Sequence, residues 1–272
     1  MVSTDRISAF DVVLPCGIPD KGKVLNQLSA FWFEKTAHLV PNHLIEVIKD
    51  NRQLDAYCSP SADYSSPSLL VGRSMIVKKA KRIPVECVVR GYLSGSAWIE
   101  YTQSGAIHGT PSPPGLKESQ QLPQLIFTPT TKAESGHDQP LSRGDLAQLV
   151  GEALAEELRE KTLAIYRFAE EYARNRGIII ADTKIEFGLI DHQLILIDEL
   201  LTPDSSRFWD ADRYRVGHPQ SSFDKQMVRD WLIASGWNKE PPAPMLPPDL
   251  ISKTSARYQE VYRRLTGRAL DK

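Results

Sequence analysis

Long apolar runs are missing from this sequence of 272 residues. Runs such as residues 178–181 and 194–197 have the length of a strand, whereas a membrane-spanning helix needs about 18 or more apolar residues. The first six residues, MVSTDR, also lack the apolar region of a secretory signal. We therefore expect a soluble, cytoplasmic protein without a membrane partner.

The sequence also has few cysteines and almost no net charge. The three cysteines, Cys16, Cys58 and Cys87, lie far apart and form no Cys-x-x-Cys motif, which indicates free thiols rather than disulfides or a zinc site. With 33 basic and 34 acidic residues the formal charge is −1, which argues against nucleic-acid binding by bulk charge. The 41% hydrophobic content excludes wholesale disorder.

Hydrophobic periodicity predicts a mixed α+β fold. The predicted helices cover residues 25–36, 96–101, 142–176, 223–234 and 249–266, and the predicted strands cover 75–79, 85–89, 178–190 and 194–201. Residues 109–141 show no hydrophobic periodicity, which predicts an irregular segment. Ser142 followed by Asp145 resembles a capping box. A provisional boundary near residue 85 divides the chain into a small lobe, 1–85, and a larger one, 86–272.

The strand at 178–190 carries three charged residues, Asp182, Lys184 and Glu186, on one face, because side chains alternate along a strand. A three-residue loop at 191–193 would place Glu186 opposite Asp198, and two carboxylates about 4 Å apart repel by on the order of 4 kcal/mol. Lys184 or a hard cation such as Mg²⁺ would offset this repulsion. A two-residue loop would separate the carboxylates, and a solvated outer face is the alternative interpretation.

Two loops at strand ends suggest an anionic ligand. Residues 89–96 place Arg90 before glycines and Ser96 at the start of a predicted helix, and residues 203–207 add Arg207. Backbone amides at a helix start and an arginine fork both bind anions, although a plain structural turn is the alternative. In residues 128–138, the charged side chains of Lys132, Glu134, His137 and Asp138 could reach a ligand from a lid or be solvated.

Two of these segments carry a resemblance to a known family. Residues 83–96 (IPVECVVRGYLSGS) and 180–188 (IADTKIEFG) closely resemble two hallmarks of the phosphoribosylaminoimidazole-succinocarboxamide synthase (SAICAR synthetase) family. Supporting matches at 4–11, 127–138 and 198–209 follow in family order and cover nearly the whole chain. The resemblance implies a two-lobed fold, similar to ATP-grasp and kinase-like folds, in which antiparallel sheets are flanked by helices.

The resemblance also implies an ATP-dependent ligase of purine biosynthesis. Its substrates would be ATP, L-aspartate and 5-amino-1-(5-phosphoribosyl)imidazole-4-carboxylate (CAIR), with Mg²⁺ as cofactor. The γ-phosphoryl group would move to the CAIR carboxylate, and the aspartate amine would attack the resulting acyl phosphate. Such transfer depends on positioning and charge neutralisation, in agreement with the charged residues noted above.

The resemblance assigns roles by position. It implies Glu186 and Asp198 as Mg²⁺ ligands, Lys184 as a contact to the CAIR carboxylate or the moving phosphoryl group, and Asp182 as a contact to CAIR or an orienting partner of Lys184. The CAIR-binding set would include Arg90, Ser96 and Arg207, and more loosely the substrate-binding residues Asp5, Ser8, Lys132 and Asp138. The ATP-binding set would be Lys79 (or Lys78) for the phosphates and the backbone of Glu86 and Val88 for adenine.

One departure from the family pattern concerns the N-terminus. Family members start with a short strand pair that carries a Gly-Lys-Val-Arg-Asp-like phosphate loop, and this sequence has no counterpart ahead of Thr4. A truncated, catalytically impaired homologue that binds a nucleotide or CAIR is therefore the alternative function. A homo-oligomeric state stays open, because the family is not uniform in assembly.

Overall fold

The computed structural model describes residues 1–10, 12–57, 68–132, 138–223 and 225–270. In chain order, its strands and helices are β1 (Arg6–Ala9), β2 (Val12–Gly17), α1 (Lys21–Thr36), β3 (Leu44–Val47), α2 (Asn51–Tyr57), β4 (Met75–Val77), β5 (Lys81–Tyr92), α3 (Ser96–Ser104), β6 (Ala106–Ile107), β7 (Thr110–Pro111), β8 (Gln121–Phe127), β9 (Thr130–Thr131), α4 (Arg143–Val150), α5 (Glu152–Arg174), β10 (Ile178–Ile190), β11 (Gln193–Ile197), β12 (Ser206–Asp210), α6 (Gln226–Ala234) and α7 (Pro248–Thr266).

A six-stranded antiparallel sheet organises the molecule. The long strands β5 and β10 pair at its centre, with β11 and β12 on the outer side of β10 and β8 and β9 on the outer side of β5. One face packs against α5, where apolar residues such as Ile165, Ile185 and Phe187 are fully buried. The Tyr166 hydroxyl donates to the carbonyl of Ile180 at 2.5 Å. The opposite face is therefore the one that carries the charged residues of β10.

The helix predicted over residues 142–176 is two helices, α4 and α5. They are separated at Gly151, whose φ of 89° lies in a region that only glycine adopts without strain. The capping box is confirmed, since the Ser142 side chain accepts from the Asp145 amide and the Asp145 carboxylate accepts from the Ser142 amide. The predicted helices at 25–36, 223–234 and 249–266 correspond to α1, α6 and α7.

The turn between β10 and β11 corrects the predicted register. Only Asp191 and His192 form the loop, so that Ile190 pairs with Gln193 and Glu186 pairs with Ile197. The three-residue loop, which would have placed Glu186 opposite Asp198, is therefore wrong, and the two-residue alternative is confirmed. β11 ends at Ile197, and the φ of 61° at Asp198 interrupts the alternation of side chains.

Regions without a clear sequence pattern contain further strands. The stretch 109–141, predicted irregular, includes β7, β8 and β9, and the predicted loop with Arg207 is the start of β12. Pro84 lies inside β5 rather than between two strands, at a bulge where Glu186 pairs with Glu86 but Gly188 pairs with Arg82. A bulge accommodates a proline because the proline has no amide proton for the ladder.

The predicted lobe boundary near residue 85 falls within β5, and the division into two lobes stays a prediction. Cys16 and Cys87 are free thiols, as expected, and Cys58 lies outside the described residues. Across the described ranges, no helix combines the length and apolar character that a bilayer crossing needs.

Candidate active site

Three adjacent strands bring Arg90, Asp182 and Arg207 together on the charged face of the sheet. Asp182 of β10 pairs in register with Arg90 of β5 on one side and with Arg207 of β12 on the other. Its buried Oδ2 accepts from Arg90 Nη1 at 3.1 Å and from Arg207 Nη1. Two guanidinium groups thus share one carboxylate, which leaves one positive charge for an anion.

The start of α3 completes this positive half of the face. Arg90 Nη2 approaches the Ser96 hydroxyl at 3.4 Å, and Arg90 Nε donates to Thr128 Oγ1 at 3.2 Å. Gly95 has a φ of 60°, and a Cβ there would lie 2.7 Å from Cζ of Arg207. The positive φ favours glycine at this turn, and the Arg207 guanidinium lies close to the helix start there.

A second group of charges lies further along the same strands. Glu86 of β5 directly faces Glu186 of β10, so that two buried carboxylates oppose each other, although Glu86 and not Asp198 is the partner. Lys184 Nζ contacts Glu86 Oε1 at 2.6 Å. Lys132, which β9 places beside Glu86, contacts Glu186 and lies 3.8 Å from Glu86 Oε1. The ammonium groups offset the repulsion that the carboxylates would otherwise suffer.

The electrostatics of this half favour a cation. Burial, aided by the charges of Asp198 and Glu86, raises the pKa of Glu186 against the opposing effect of Lys132. Burial lowers the pKa of Lys184, but the hydrogen bond and charge of Glu86 outweigh it and the pKa is raised overall. Lys184 is therefore a firmly protonated ammonium. The charge of Asp198 acts on Glu186 despite the corrected register, because the left-handed residue turns the chain at the end of β11.

A polar cluster that the sequence patterns did not indicate lies at the turn before β12. Lys21 Nζ contacts Asp204 Oδ2 at 2.6 Å, and the Tyr258 hydroxyl donates to Asp204 Oδ1 at 2.8 Å. Nearby, burial and the charges of Asp204 and Asp198 raise the pKa of Glu199 to about 7. One signal was available, since a lysine at the first position of a helix opposes the helix dipole and so needs a nearby anion.

The structure does not bring all the predicted residues to this face. Asp5 instead accepts from the Gly22 amide at the start of α1, at 2.8 Å, and pairs with Arg73. Ser8 lies half-buried on the separate β1–β2 hairpin, and Lys79 is exposed after β4. The remaining predicted residues have the following positions: the Val88 carbonyl accepts from the Thr128 amide within the sheet, Asp138 is exposed, and Glu134 and His137 lie outside the described residues.

A magnesium ion fits the chemistry of the half of the charged face that carries the carboxylates. Glu186 and Asp198 offer the hard oxygen donors that Mg²⁺ prefers, and the Lys132 ammonium shows that a cation is accommodated against Glu186. Within the described part of the chain no three metal-ligating side chains form a cluster. Such a cluster is not required, because Mg²⁺ in phosphoryl-transfer sites is held by one or two carboxylates together with substrate phosphates and water.

The fold and the site together define an enzyme that binds anionic substrates. One half of the charged sheet face is positive and suits a phosphate or carboxylate, and in the other half carboxylates and lysines alternate. The chain belongs to the SAICAR synthetase family, whose profile matches residues 1–244. It is 54% identical over 267 residues to the phosphoribosylaminoimidazole-succinocarboxamide synthase of Thermodesulfovibrio yellowstonii, covering 98% of this chain and 89% of that one. The predicted family and enzyme class are confirmed.

Solved structures agree with this assignment. SAICAR synthase from Saccharomyces cerevisiae, complexed with SAICAR, superposes with a TM-score of 0.88 at 45% identity and covers 98% of this chain and 88% of its own. A SAICAR synthetase in complex with ADP has a TM-score of 0.67 at 24% identity, covers 99% of this chain and 91% of its own, and shows the shared fold. The predicted α+β fold class is confirmed.

Proposed function

We propose that this chain joins L-aspartate to CAIR with ATP, giving SAICAR, ADP and phosphate. The observation that carries the proposal is the face of β5, β10 and β12, where Arg90, Arg207 and Asp182 adjoin Lys184 and the opposed carboxylates. Family membership and the SAICAR complex of the yeast relative support the substrate assignment. The ADP complex of a relative with the same fold supports ATP as co-substrate.

CAIR binds across the positive half in this proposal. Arg90, Arg207 and the Ser96 hydroxyl at the start of α3 hold its 5′-phosphate, because guanidinium groups and a helix start together complement a phosphate. Asp182 fixes the orientation of both arginines and leaves them a net positive charge. Asp138, Asp5 and Ser8 keep their looser substrate-binding assignments as predictions, as do Lys79 and the backbone of Glu86 and Val88 for ATP.

The chemical step takes place at the junction of the two halves. A CAIR carboxylate oxygen attacks the γ-phosphorus of ATP and ADP leaves, with its negative charge opposed by Lys184 and Lys132. The aspartate nitrogen then attacks the acyl carbon, phosphate departs with the former carboxylate oxygen, and the nitrogen loses a proton to the departing phosphate. Lys184, kept protonated by Glu86, neutralises charge on the transferring group.

Glu186 and Asp198 would hold Mg²⁺, with Lys132 withdrawing from Glu186. A bound Mg²⁺ supplies charge neutralisation for the transferring phosphoryl group. The cytoplasmic location and the homo-oligomeric state considered from the sequence stay predictions.

A coupled assay tests the proposal. The 272-residue chain is incubated with ATP, Mg²⁺, CAIR and L-aspartate, and ADP and SAICAR are followed together. We expect the two products in equal amounts, and no SAICAR when any substrate is omitted. Binding of ATP and CAIR without turnover would contradict the ligase and favour the impaired binding homologue.

A further inference from the structure

The ion pair of Lys21 and Asp204 is largely buried and has no part in the chemistry proposed above. Lys21, at the first position of α1, is 4% exposed, and its Nζ contacts Asp204 Oδ2 at 2.6 Å. Burying two charges is expensive unless each is paired and hydrogen-bonded. A pair of this kind at a helix start, where a cation is already disfavoured, calls for an explanation in terms of what it holds in place.

A tyrosine from a third element completes the cluster. The Tyr258 hydroxyl of α7 donates to Asp204 Oδ1 at 2.8 Å, and Lys21 Nζ lies 5.9 Å from the centre of the Tyr258 ring. Lys225 Nζ approaches the same carboxylate oxygen at 3.7 Å. The Asp204 carboxylate is thus held on both oxygens by groups from α1, α7 and the segment before α6.

Asp204 lies in a tight turn that leads directly into the substrate face. Within the turn, the Ser206 amide donates to the Thr202 carbonyl at 2.8 Å and the Asp204 amide donates to Thr202 Oγ1 at 3.1 Å. The Ser205 carbonyl accepts from the amide of Lys184 at 2.9 Å. The next residue after the turn is Arg207. The turn therefore adjoins both the guanidinium that contacts Asp182 and the backbone of Lys184.

We propose that Lys21, Asp204 and Tyr258 are positioning residues that fix the turn at 202–206 and thereby hold Arg207 in register for the substrate. In this role the cluster acts through the turn and not on the reacting atoms. This inference rests on the proposed function in one respect, namely that Arg207 binds CAIR.

Tyr258→Phe is the mildest test, because it removes one hydrogen bond to Asp204 and keeps the packing of the ring. We expect the KM for CAIR to rise by about 5-fold or more, while the KM for ATP changes by less than about 2-fold. Tyr262→Phe is the matched control, since the Tyr262 hydroxyl also bridges α7 and α1, through Gln27, at 3.1 Å. An equal rise in both KM values, or the same rise in the control, would overturn the proposal.

Hydrogen exchange supplies a readout that does not depend on activity. In Tyr258→Phe we expect the amides of Ser206 and Lys184 to exchange faster by about 5-fold or more than in Tyr262→Phe. Unchanged exchange at these amides would overturn the positioning role even if the enzyme is active. If the unmodified chain makes no SAICAR while the exchange result holds, the function proposal fails and the positioning of the turn stands.

The charge of the cluster is tested separately. Asp204→Asn leaves Lys21 buried without its anion and could prevent folding, so it is combined with Lys21→Met in a double variant. We expect the folded double variant to show a KM for CAIR at least as high as that of Tyr258→Phe, with the KM for ATP again nearly unchanged. A double variant with unmodified KM for CAIR would contradict the proposal.

Discussion

The Asp182 carboxylate is shared by two guanidinium groups, and its two partners are not equivalent. Arg90 is mostly buried on the central strand, where burial lowers its pKa, whereas Arg207 reaches the site from β12 and past Gly95. We expect Arg207→Ala to raise the KM for CAIR by about 10-fold or more, since a charge-assisted hydrogen bond contributes about 1.5–3 kcal/mol. The KM for ATP should change by less than about 2-fold.

Steady-state kinetics with each substrate varied in turn measures both constants. Arg213→Ala is a suitable control, because Arg213 is 70% exposed and pairs only loosely with Asp210, at 3.9 Å. Equal effects of Arg207→Ala on the two KM values would remove Arg207 from the CAIR site.

Glu186 is the residue on which the magnesium assignment depends most. Its carboxylate is buried and faces Glu86, so that Glu186→Gln keeps the shape and removes the charge. We expect the variant to need about 10-fold or more Mg²⁺ for half-maximal activity. Glu156→Gln on α5, where the side chain is 39% exposed, provides the control. An unchanged Mg²⁺ requirement in Glu186→Gln would exclude Glu186 as a ligand.

His43 makes the stability of the fold depend on pH. The ring is 5% exposed, and burial lowers its pKa to about 4 against the opposing charge of Asp198, whereas the unfolded value is about 6.5. The unfolded chain therefore binds more protons between these values. The stability contributed by neutral His43 is present above about pH 6.5 and is lost as pH falls toward 4, by about 3 kcal/mol in all.

Urea unfolding of His43→Gln in a metal-free buffer tests this dependence. At about pH 7.5 the variant should be less stable than the unmodified chain, and at about pH 5 the difference should shrink by about 2 kcal/mol. His218→Gln, at an exposed position, should show no such change. A difference for His43→Gln that is constant with pH would contradict the assignment.

At the scale of elements, the β10–β11 hairpin shows what a sequence pattern leaves open. Alternation in β10 correctly placed Asp182, Lys184 and Glu186 on one face, but it does not fix the length of the following loop. The commonest two-residue turns are marked by Asn-Gly or Asp-Gly, and here the loop is Asp191-His192 with φ values of 49° and 66°. Without a glycine to mark it, a three-residue loop was equally reasonable, and the one-residue error moved the partner of Glu186.

The same turn predicts a stabilising substitution. His192→Gly should raise the free energy of unfolding by about 0.5–1 kcal/mol, because glycine relieves the left-handed conformation while costing some entropy in the unfolded chain. Thermal unfolding should show a rise in Tm of about 1–4 °C. Gln193→Gly, placed one residue later in the extended strand, should lower the Tm instead. A lower Tm for His192→Gly would indicate that the imidazole ring contributes more than the turn strain.

The short strand and the edge strand of the sheet were not predicted, for a different reason. The edge strand β8 contains Pro123 and lies among prolines, serines and glycines, and β12 is short and follows a tight turn. Such strands form because a long partner offers a free edge, and here β5 and β10 supply it. Local propensity carries little information about pairing of this kind, since it depends on residues distant in the sequence.

At the scale of the whole molecule, strand pairing in the sheet brings the site residues together. Arg90, Asp182 and Arg207 are separated by 92 and 25 positions along the chain and meet only through the pairing of three strands. Periodicity placed each residue on its element, and the family motifs identified the set. Neither could give the Glu86–Glu186 pairing, because a strand pattern does not say which strand is the neighbour or in which register the two pair, nor the ion pair of Lys21 and Asp204.

Because CAIR would contact several strands and α3 at once, its binding should stabilise the fold as a whole. A ligand at about 100 times its Kd stabilises by about 2.7 kcal/mol, which corresponds to a rise in Tm of roughly 5–10 °C for a chain of this size. Thermal unfolding with CAIR alone, without ATP, measures this rise apart from turnover.

Ribose 5-phosphate at the same concentration should give a smaller shift in Tm, since it offers the phosphate without the imidazole carboxylate. Arg207→Ala should lose about half or more of the shift with CAIR. An equal shift in Arg207→Ala would mean that CAIR binds elsewhere, and no shift in the unmodified chain would contradict the whole placement of the substrate on this face.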